Sequence, residues 1–371
     1  MIPLPRVLPL SLALAAVLSV LVTDSLRADE DGFVPLFNGR DLEGWVVVNT
    51  APSTWSFTEE GYLHCTGKPI GEIRTERMYQ NFILEVEWRF LVPKGNSGIF
   101  VWADDITAKG QPFIRGIEVQ VLENAYGQSE RHTTHGDIFP IHGATMTPEN
   151  GRGGSRAFPT EERSRPSPEW NHYRIECRDG EISLAVNGKV VTRGRDGIPR
   201  KGYLCLESEG GVVQYRNARI KELPDTPIDP AHVAIADRGF RCLYTGLDFS
   251  GWRDAAGWQP RDWEFVNAAG ADALETEESF GSDFRFIVDL KPEEESGRPA
   301  LSVRGRRVPL DPERLRPGAY HRIEGTVTGR RLVLEIDGET AAEIDDLPES
   351  GPLGIAPDGP ATWANPYVST R

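Results

Sequence analysis

Arg174-Ile-Glu-Cys-Arg178, Asp179-Gly180, Glu181-Ile-Ser-Leu-Ala-Val186, Asn187-Gly188, Lys189-Val-Val-Thr192 is a strand, a turn, a strand, a turn and a strand in uninterrupted succession. Asp-Gly and Asn-Gly are the pairs that reach positive φ at both central positions of a two-residue hairpin, so the run reads as a tight antiparallel meander. The same grammar holds over the rest of the chain. Short segments rich in Val, Ile, Phe, Tyr and Trp are separated by Asn-Gly, Asp-Gly and Gly-Gly, and no amphipathic helix of useful length follows the N-terminal apolar stretch. Two antiparallel sheets packed face to face bury one side of each alternating strand and hide the edges. The expectation is therefore an all-β protein of jelly-roll antiparallel β-sandwiches.

The pattern occurs twice. Phe33-x-x-Leu-Phe-x-Gly-x-Asp-Leu-x-Gly-Trp45 recurs as Phe240-x-x-Leu-Tyr-x-Gly-x-Asp-Phe-x-Gly-Trp252. Further matches follow in the same order: Trp55-Ser-Phe with Trp263-Glu-Phe, Asn81-Phe-Ile-Leu-Glu-Val-Glu with Asp283-Phe-Arg-Phe-Ile-Val-Asp, and His172-Tyr-Arg-Ile-Glu with Tyr320-His-Arg-Ile-Glu. A period of roughly 205 residues is too long for a solenoid unit and describes a duplicated domain. Leu223-Pro-Asp-Thr-Pro-Ile-Asp-Pro230 joins the copies, its prolines unsuited to helix or sheet interior. The division expected is 1–28 as a signal peptide, 29–223 as the first sandwich, 224–238 as linker and 239–371 as a degenerate second sandwich.

At 371 residues, with 39% hydrophobic content and nine Trp, the chain has material for two cores. A formal charge of −15 argues against nucleic acid and anionic membrane surfaces as partners. Arg6, the apolar run Val7 to Val22 and Leu26-Arg-Ala28 read as a secretory signal cleaved near Ala28, because the run is short for a membrane span. A periplasmic or extracellular location follows, with no integral membrane domain once the signal is removed. There Cys65, Cys177, Cys205 and Cys242 meet conditions that permit pairing, although four buried thiols are the plainer reading.

Candidate chemistry concentrates in Gly95-Asn-Ser-Gly-Ile-Phe100 and Gly116-Ile-Glu-Val-Gln-Val-Leu-Glu-Asn124. Strand alternation puts Glu118 and Gln120 on one face and Ile117, Val119 and Val121 on the other. Glu123 joins the polar face only if a β-bulge intervenes, a common device beside active sites. Two carboxylates and an amide on one concave surface are the minimum equipment for acid/base work on a sugar. The bland reading of these residues is a solvated strand face. The loop from Ala125 to Glu169 exceeds what a connection needs. It carries His132, His135, His142 and Asp137, a set that leaves a divalent metal open although its spacing follows no standard motif.

Taken with Leu36-Phe-Asn-Gly-Arg-Asp-Leu-Glu-Gly-Trp45, Cys65-Thr-Gly67, Glu169-Trp-Asn171, Val186-Asn-Gly188 and Tyr215-Arg-Asn217, these segments resemble the 3-keto-disaccharide hydrolase family over the whole first domain. The resemblance implies a concanavalin A-like jelly roll and cleavage of glycosides already oxidised at sugar C3, with an oxidised di- or oligosaccharide as partner and no firmly implied cofactor. Thr134-His-Gly-Asp-Ile-Phe-Pro-Ile-His-Gly143 is richer in His than the family's usual Gly-x-Ile-Tyr pattern. A C3 ketone acidifies the C2 hydrogen, so one base removes it, a donor or cation holds the enolate, and an acid protonates the departing C1 oxygen before water adds. The candidates are Glu118 and Glu123 with His135 or His142 as acid and base; Asn96 and Gln120 as orienting amides; Arg115 or Arg89 at the enolate; and Asn124, His142 and Trp102 against the sugar. Direct retaining hydrolysis would instead need two carboxylates about 5 Å apart, one as nucleophile. A non-catalytic lectin-like binder is the alternative, since a fold does not fix a function. The second copy runs from Ser296-Gly-Arg-Pro-Ala-Leu-Ser-Val303 almost directly to Gly318-Ala-Tyr-His-Arg-Ile323, without the acidic strand and its loop. It is expected to keep the sandwich, lose the site and serve in carbohydrate binding or packing, with His321 structural.

Overall fold

A computed structural model describes residues 31–281, 283–294 and 297–370; the expected signal peptide lies outside them. The protein is all-β, with two antiparallel sandwiches in tandem. Unit 1 pairs a nine-stranded sheet with a six-stranded one, and unit 2 pairs an eight-stranded sheet with a five-stranded one. The meander forms as its turn chemistry dictates. Asn171–Arg178 pairs with Glu181–Val186, which pairs with Lys189–Ile198. Asn187 and Gly188, at φ 48° and 85°, make the turn that Asn-Gly favours.

The six-stranded sheet runs Trp45–Val47, Gly71–Thr75, Tyr203–Ser208, Asn96–Ala103, Gly116–Leu122, Ile138–Ile141. Its inner face (Ile73, Leu206, Ile99, Val101, Ile117, Val119, Val121, Ile138) packs with Phe82, Trp88, Tyr173, Leu184 and Tyr215 in the core of unit 1. Unit 2 builds an equivalent core around Phe265, Leu290, Ile323, Leu334 and Trp363. The two recurring motifs are held alike: the Trp45 indole donates to the Leu36 carbonyl at 2.8 Å and the Trp252 indole to that of Leu243 at 2.6 Å.

A third apolar cluster joins the units. Val48, Phe100, Ala103, Ile106, Ile114, Tyr203 and Cys205 of unit 1 pack against Phe240, Ile287 and Tyr367. Phe100 and Cys205 lie on the outer face of the six-stranded sheet, so unit 2 covers part of the face that carries Glu118. The proline-rich connection is tied down rather than loose. Ala234 N–H donates to the Lys201 carbonyl and Ile235 N–H to Asp104, both at 2.8 Å, Asp237 meets buried Arg74 at 3.2 Å, and Arg238 grips Asp105 at 2.9 and 3.0 Å.

All four cysteines are free thiols, with Cys242 half-buried and the others buried. Burial pushes the Cys65 thiol up to about 11 and Cys242 up to about 12, so both stay protonated and unreactive near neutrality. His321 is structural: its Nδ1 lies 2.7 Å from Asp337 and its Nε2 accepts from Arg316 N–H at 2.8 Å.

Candidate active site

Alternation along Gly116–Leu122 does what its pattern predicts: Ile117, Val119 and Val121 enter the core, and Glu118 and Gln120 take the outer face. Two strands away, Tyr203–Ser208 alternates likewise and brings Cys205 and Glu207 to that face, with Glu209 just beyond the strand end. Glu72, paired in register with Glu207, extends the row. Gly98 separates the acids. A Cβ there would stand 2.8 Å from Glu118 Oε1 and 3.0 Å from Glu207 Oε2, so only a glycine lets both carboxyls lie over this strand. The face is polar, but it is not the solvated surface of the bland reading. Glu118 and Gln120 are each 6% exposed and Glu207 1%.

Four acids so placed cannot all ionise. Burial pushes Glu118 well above the usual carboxylate range, the Glu209 charge adds to this, and the Arg156 guanidinium opposes it. Glu207 is raised by burial and then by Glu118, Glu209 and Glu72; it shares a hydrogen bond with Glu209, and its Oε2 has no partner. Glu72 is raised by burial too, with Oε1 unpartnered. Glu209 lies at the more open end. Burial raises it to about 6, while hydrogen bonds from Glu207 and Asn96 hold it down. Gln120 Nε2 donates to Asn96 Oδ1 at 2.9 Å and to the Ser97 carbonyl at 3.1 Å, and Asn96 Nδ2 in turn donates to Glu209. Asn96 and Gln120 thus orient Glu209.

Several sequence candidates stand elsewhere. The bulge expected before Glu123 is absent, because pairing with Asn96–Ala103 runs unbroken from Val101–Ile117 to Asn96–Leu122. Glu123 instead caps the short turn Asn124–Tyr126, accepting backbone N–H bonds from Lys94 (2.7 Å), Ala125 (2.8 Å) and Ser167 (3.0 Å). Burial raises its proton affinity, but these donors outweigh burial and leave the carboxyl below the usual range. Trp102 is a fully buried core residue whose indole donates to the Gln80 carbonyl, so it offers no face to a sugar. Arg115 is committed to Asp104 at 2.8 and 2.9 Å. Arg89 belongs to the other sheet, where it holds Gln214 at 2.8 and 3.0 Å and lies over Trp170. Arg216 also covers the Trp170 ring.

The histidine loop does not gather into a metal site; among the described residues no group of three His, Cys, Asp or Glu side chains is disposed to hold one. Asp137 binds Thr133 and Arg156, and His132 bonds Ser129. His142 is a half-buried residue at φ 52°, its proton affinity lowered by burial. The His135 ring accepts Ser164 N–H at Nδ1 (3.2 Å) and meets Gln128 at Nε2 (3.1 Å). Burial disfavours protonation of the ring. Asn124 Nδ2 donates to the Ser164 carbonyl beside it. Sequence reading passed over Glu207, Glu209 and Arg156. The period-two alternation of Leu204-Cys-Leu-Glu-Ser-Glu209 announces the first two. Arg156, carried by the long loop after Ala125, folds back onto Asp137 at 3.0 Å and stacks on Phe139.

Comparison with known proteins places a family match on the strands of unit 1. Residues 32–221 match the 3-keto-alpha-glucoside-1,2-lyase-like domain. A 3-keto-disaccharide hydrolase of Bacteroides thetaiotaomicron is 24% identical over 254 residues, covering 54% of this chain and 82% of that one. Among solved structures, a Parabacteroides distasonis protein provisionally described as a glycosyl hydrolase is 23% identical and covers 52% of this chain and 95% of its own, at a TM-score of 0.41. The β-glucanase of Bacillus licheniformis is 14% identical over 52% of this chain and 97% of its own, at 0.36. The match spans the strands that carry Glu72, Glu118, Glu207 and Glu209, and the chain belongs to the 3-keto-alpha-glucoside-1,2-lyase-like family.

Proposed function

We propose that this protein is an exported carbohydrate-active enzyme that cleaves glycosides oxidised at C3 of the sugar. The observation that carries the reading is the meeting of Glu118 and Glu207 over Gly98, with Glu209 hydrogen-bonded at the open end. Glu209, ionised above about pH 6, takes the C2 proton that the C3 ketone has acidified. Arg156, the cation acting on Glu118, stabilises the enolate oxygen. Glu118, kept protonated by burial, delivers its proton to the C1 oxygen as the C1–O bond breaks. Water then adds at C1, giving a proton to the Glu118 carboxylate, while Glu209 returns its proton to C2. The net change is glycoside plus water to 3-keto sugar plus alcohol. Glu123 has no part in these steps, because its oxygens serve three backbone donors. Export by a signal at 1–28 belongs to the same reading, matching the acidic surface and the apolar run after Arg6.

The direct test is release of chromophore from a 3-keto-glucoside by the mature protein. Sugar binding without release would make it a lectin-like module instead. The base must be ionised, so kcat/KM is expected to rise with pH through about 6 and to lose that limb in Glu209→Gln; a limb unchanged in the variant would remove Glu209 from the mechanism. Gly98→Ala tests the geometry. Its Cβ forces apart acids 2.8 and 3.0 Å away, and the expected loss of turnover is about 10²-fold with the circular dichroism spectrum retained.

A further inference from the structure

The hairpin joining Asn96–Ala103 to Gly116–Leu122 does not end in solvent. Its tip is seated in a polar socket on the outer face of the eight-stranded sheet of unit 2. Asp289, fully buried, accepts the Gly110 N–H at 2.8 Å, both arms of Arg322 at 2.8 Å and Asn365 Nδ2 at 2.8 Å. Asn365 also donates to the Gln111 carbonyl at 3.0 Å, Arg322 to that of Thr107 at 3.1 Å, and the Thr107 and Tyr367 hydroxyls meet at 3.1 Å. At the hairpin's base, Asp104 and Asp105 are held by Ile235 N–H and Arg238 of the connecting segment. The segment between the two site strands is thus contacted from beyond unit 1 at its base and at its tip.

The duplication shows how specialised the socket is. Asp289 corresponds to Glu87, and Asn365 to Asn217; the two asparagines share the left-handed conformation, φ 53° and 51°. In unit 1, Asn217 donates to Glu87 at 2.9 Å and is exposed, at the wall of an open groove of about 620 Å³ lined also by Glu85, His172 and Arg219. In unit 2 the hairpin of unit 1 fills the matching place and buries both side chains.

We infer that unit 2 is an intramolecular clamp on the site, in which Asp289, Arg322 and Asn365 are positioning residues that hold Glu118 and Gln120 through the 104–115 hairpin. An unpinned hairpin lets the two strands separate and admits water to the outer face. The catalytic consequence rests on the function proposed above, whereas the structural one does not.

The test compares Asn365→Ala with Gly110→Ala. The second leaves both cores intact but drives a Cβ into the Tyr320 ring at a residue with φ +63°, and Lys109→Ala, which removes only an exposed ion pair, is the control. Amide exchange in Asn96–Ala103 and Gly116–Leu122 is expected to quicken about tenfold in both variants, with exchange in the Asn171–Val186 meander unchanged. Carboxyl NMR should show Glu118 titrating closer to an ordinary glutamate, and kcat should fall with KM nearly constant. Unchanged exchange and unchanged Glu118 titration in both variants would overturn the clamp, as would quickening spread equally over the meander. If the wild type turns over no keto-glucoside, exchange and titration still decide.

Discussion

Glu118→Gln is expected to lower turnover of a 3-keto-glucoside about 10³-fold while leaving the fold intact, the size of effect produced by removing a positioned general acid. Gln keeps the shape of the neutral carboxyl but cannot deliver a proton to the C1 oxygen. The substitution also has a signature in stability. Because burial raises the folded-state proton affinity of Glu118 above its unfolded value, the native state binds the extra proton, and native stability falls as pH rises from the ordinary glutamate range toward the folded value. The variant lacks this penalty. Its melting temperature should match the wild type near pH 4 and exceed it near pH 8, as scanning calorimetry would show. Turnover within a few-fold of wild type would remove Glu118 from the chemistry.

The fold was legible because its signals are local. Asn187-Gly188 and Asp179-Gly180 specify turns from two residues, and the recurrence of Phe33 to Trp45 at Phe240 to Trp252 needs no knowledge of packing. Glu118 and Gln120 were legible for the same reason, since alternation within one strand assigns their face. The remainder of the site depends on which strands become neighbours. Glu207 and Glu72 reach Glu118 only because Tyr203–Ser208 inserts between Gly71–Thr75 and Asn96–Ala103, a pairing across more than a hundred residues that no local pattern encodes. Glu123 failed on the opposite count. Its sequence position next to the acidic strand suggested a bulge, but three backbone N–H groups at the strand end claim the carboxylate first. Arg89 and Arg115 were chosen as cations near the motif, whereas the cation beside Glu118 is Arg156, carried in by a long loop.

Glu123→Ala should separate holding from catalysis. Three part-buried backbone donors lose a charged acceptor, and the expected cost is about 1–2 kcal/mol of stability, with kcat within a few-fold of wild type. The pH dependence has the opposite sign to that of Glu118. The folded-state proton affinity of Glu123 lies below its unfolded value, so its contribution is complete above the ordinary glutamate range and is lost as pH falls through the folded value. The gap in stability between wild type and variant should therefore be widest near pH 7 and close toward pH 3. A variant as stable as wild type but inactive would return Glu123 to the chemistry.

The apolar cluster between the units has a consequence for modularity. Two copies of one motif ordinarily suggest parts that can be shuffled, and the prolines after Leu223 look like a place to cut. A first half released there would present Phe100, Ile106, Ile114 and Tyr203 to water as one patch, with Arg74 and Asp105 stripped of Asp237 and Arg238. The two halves have become one inheritable piece: recombination at the linker would transplant a sheet without its cover.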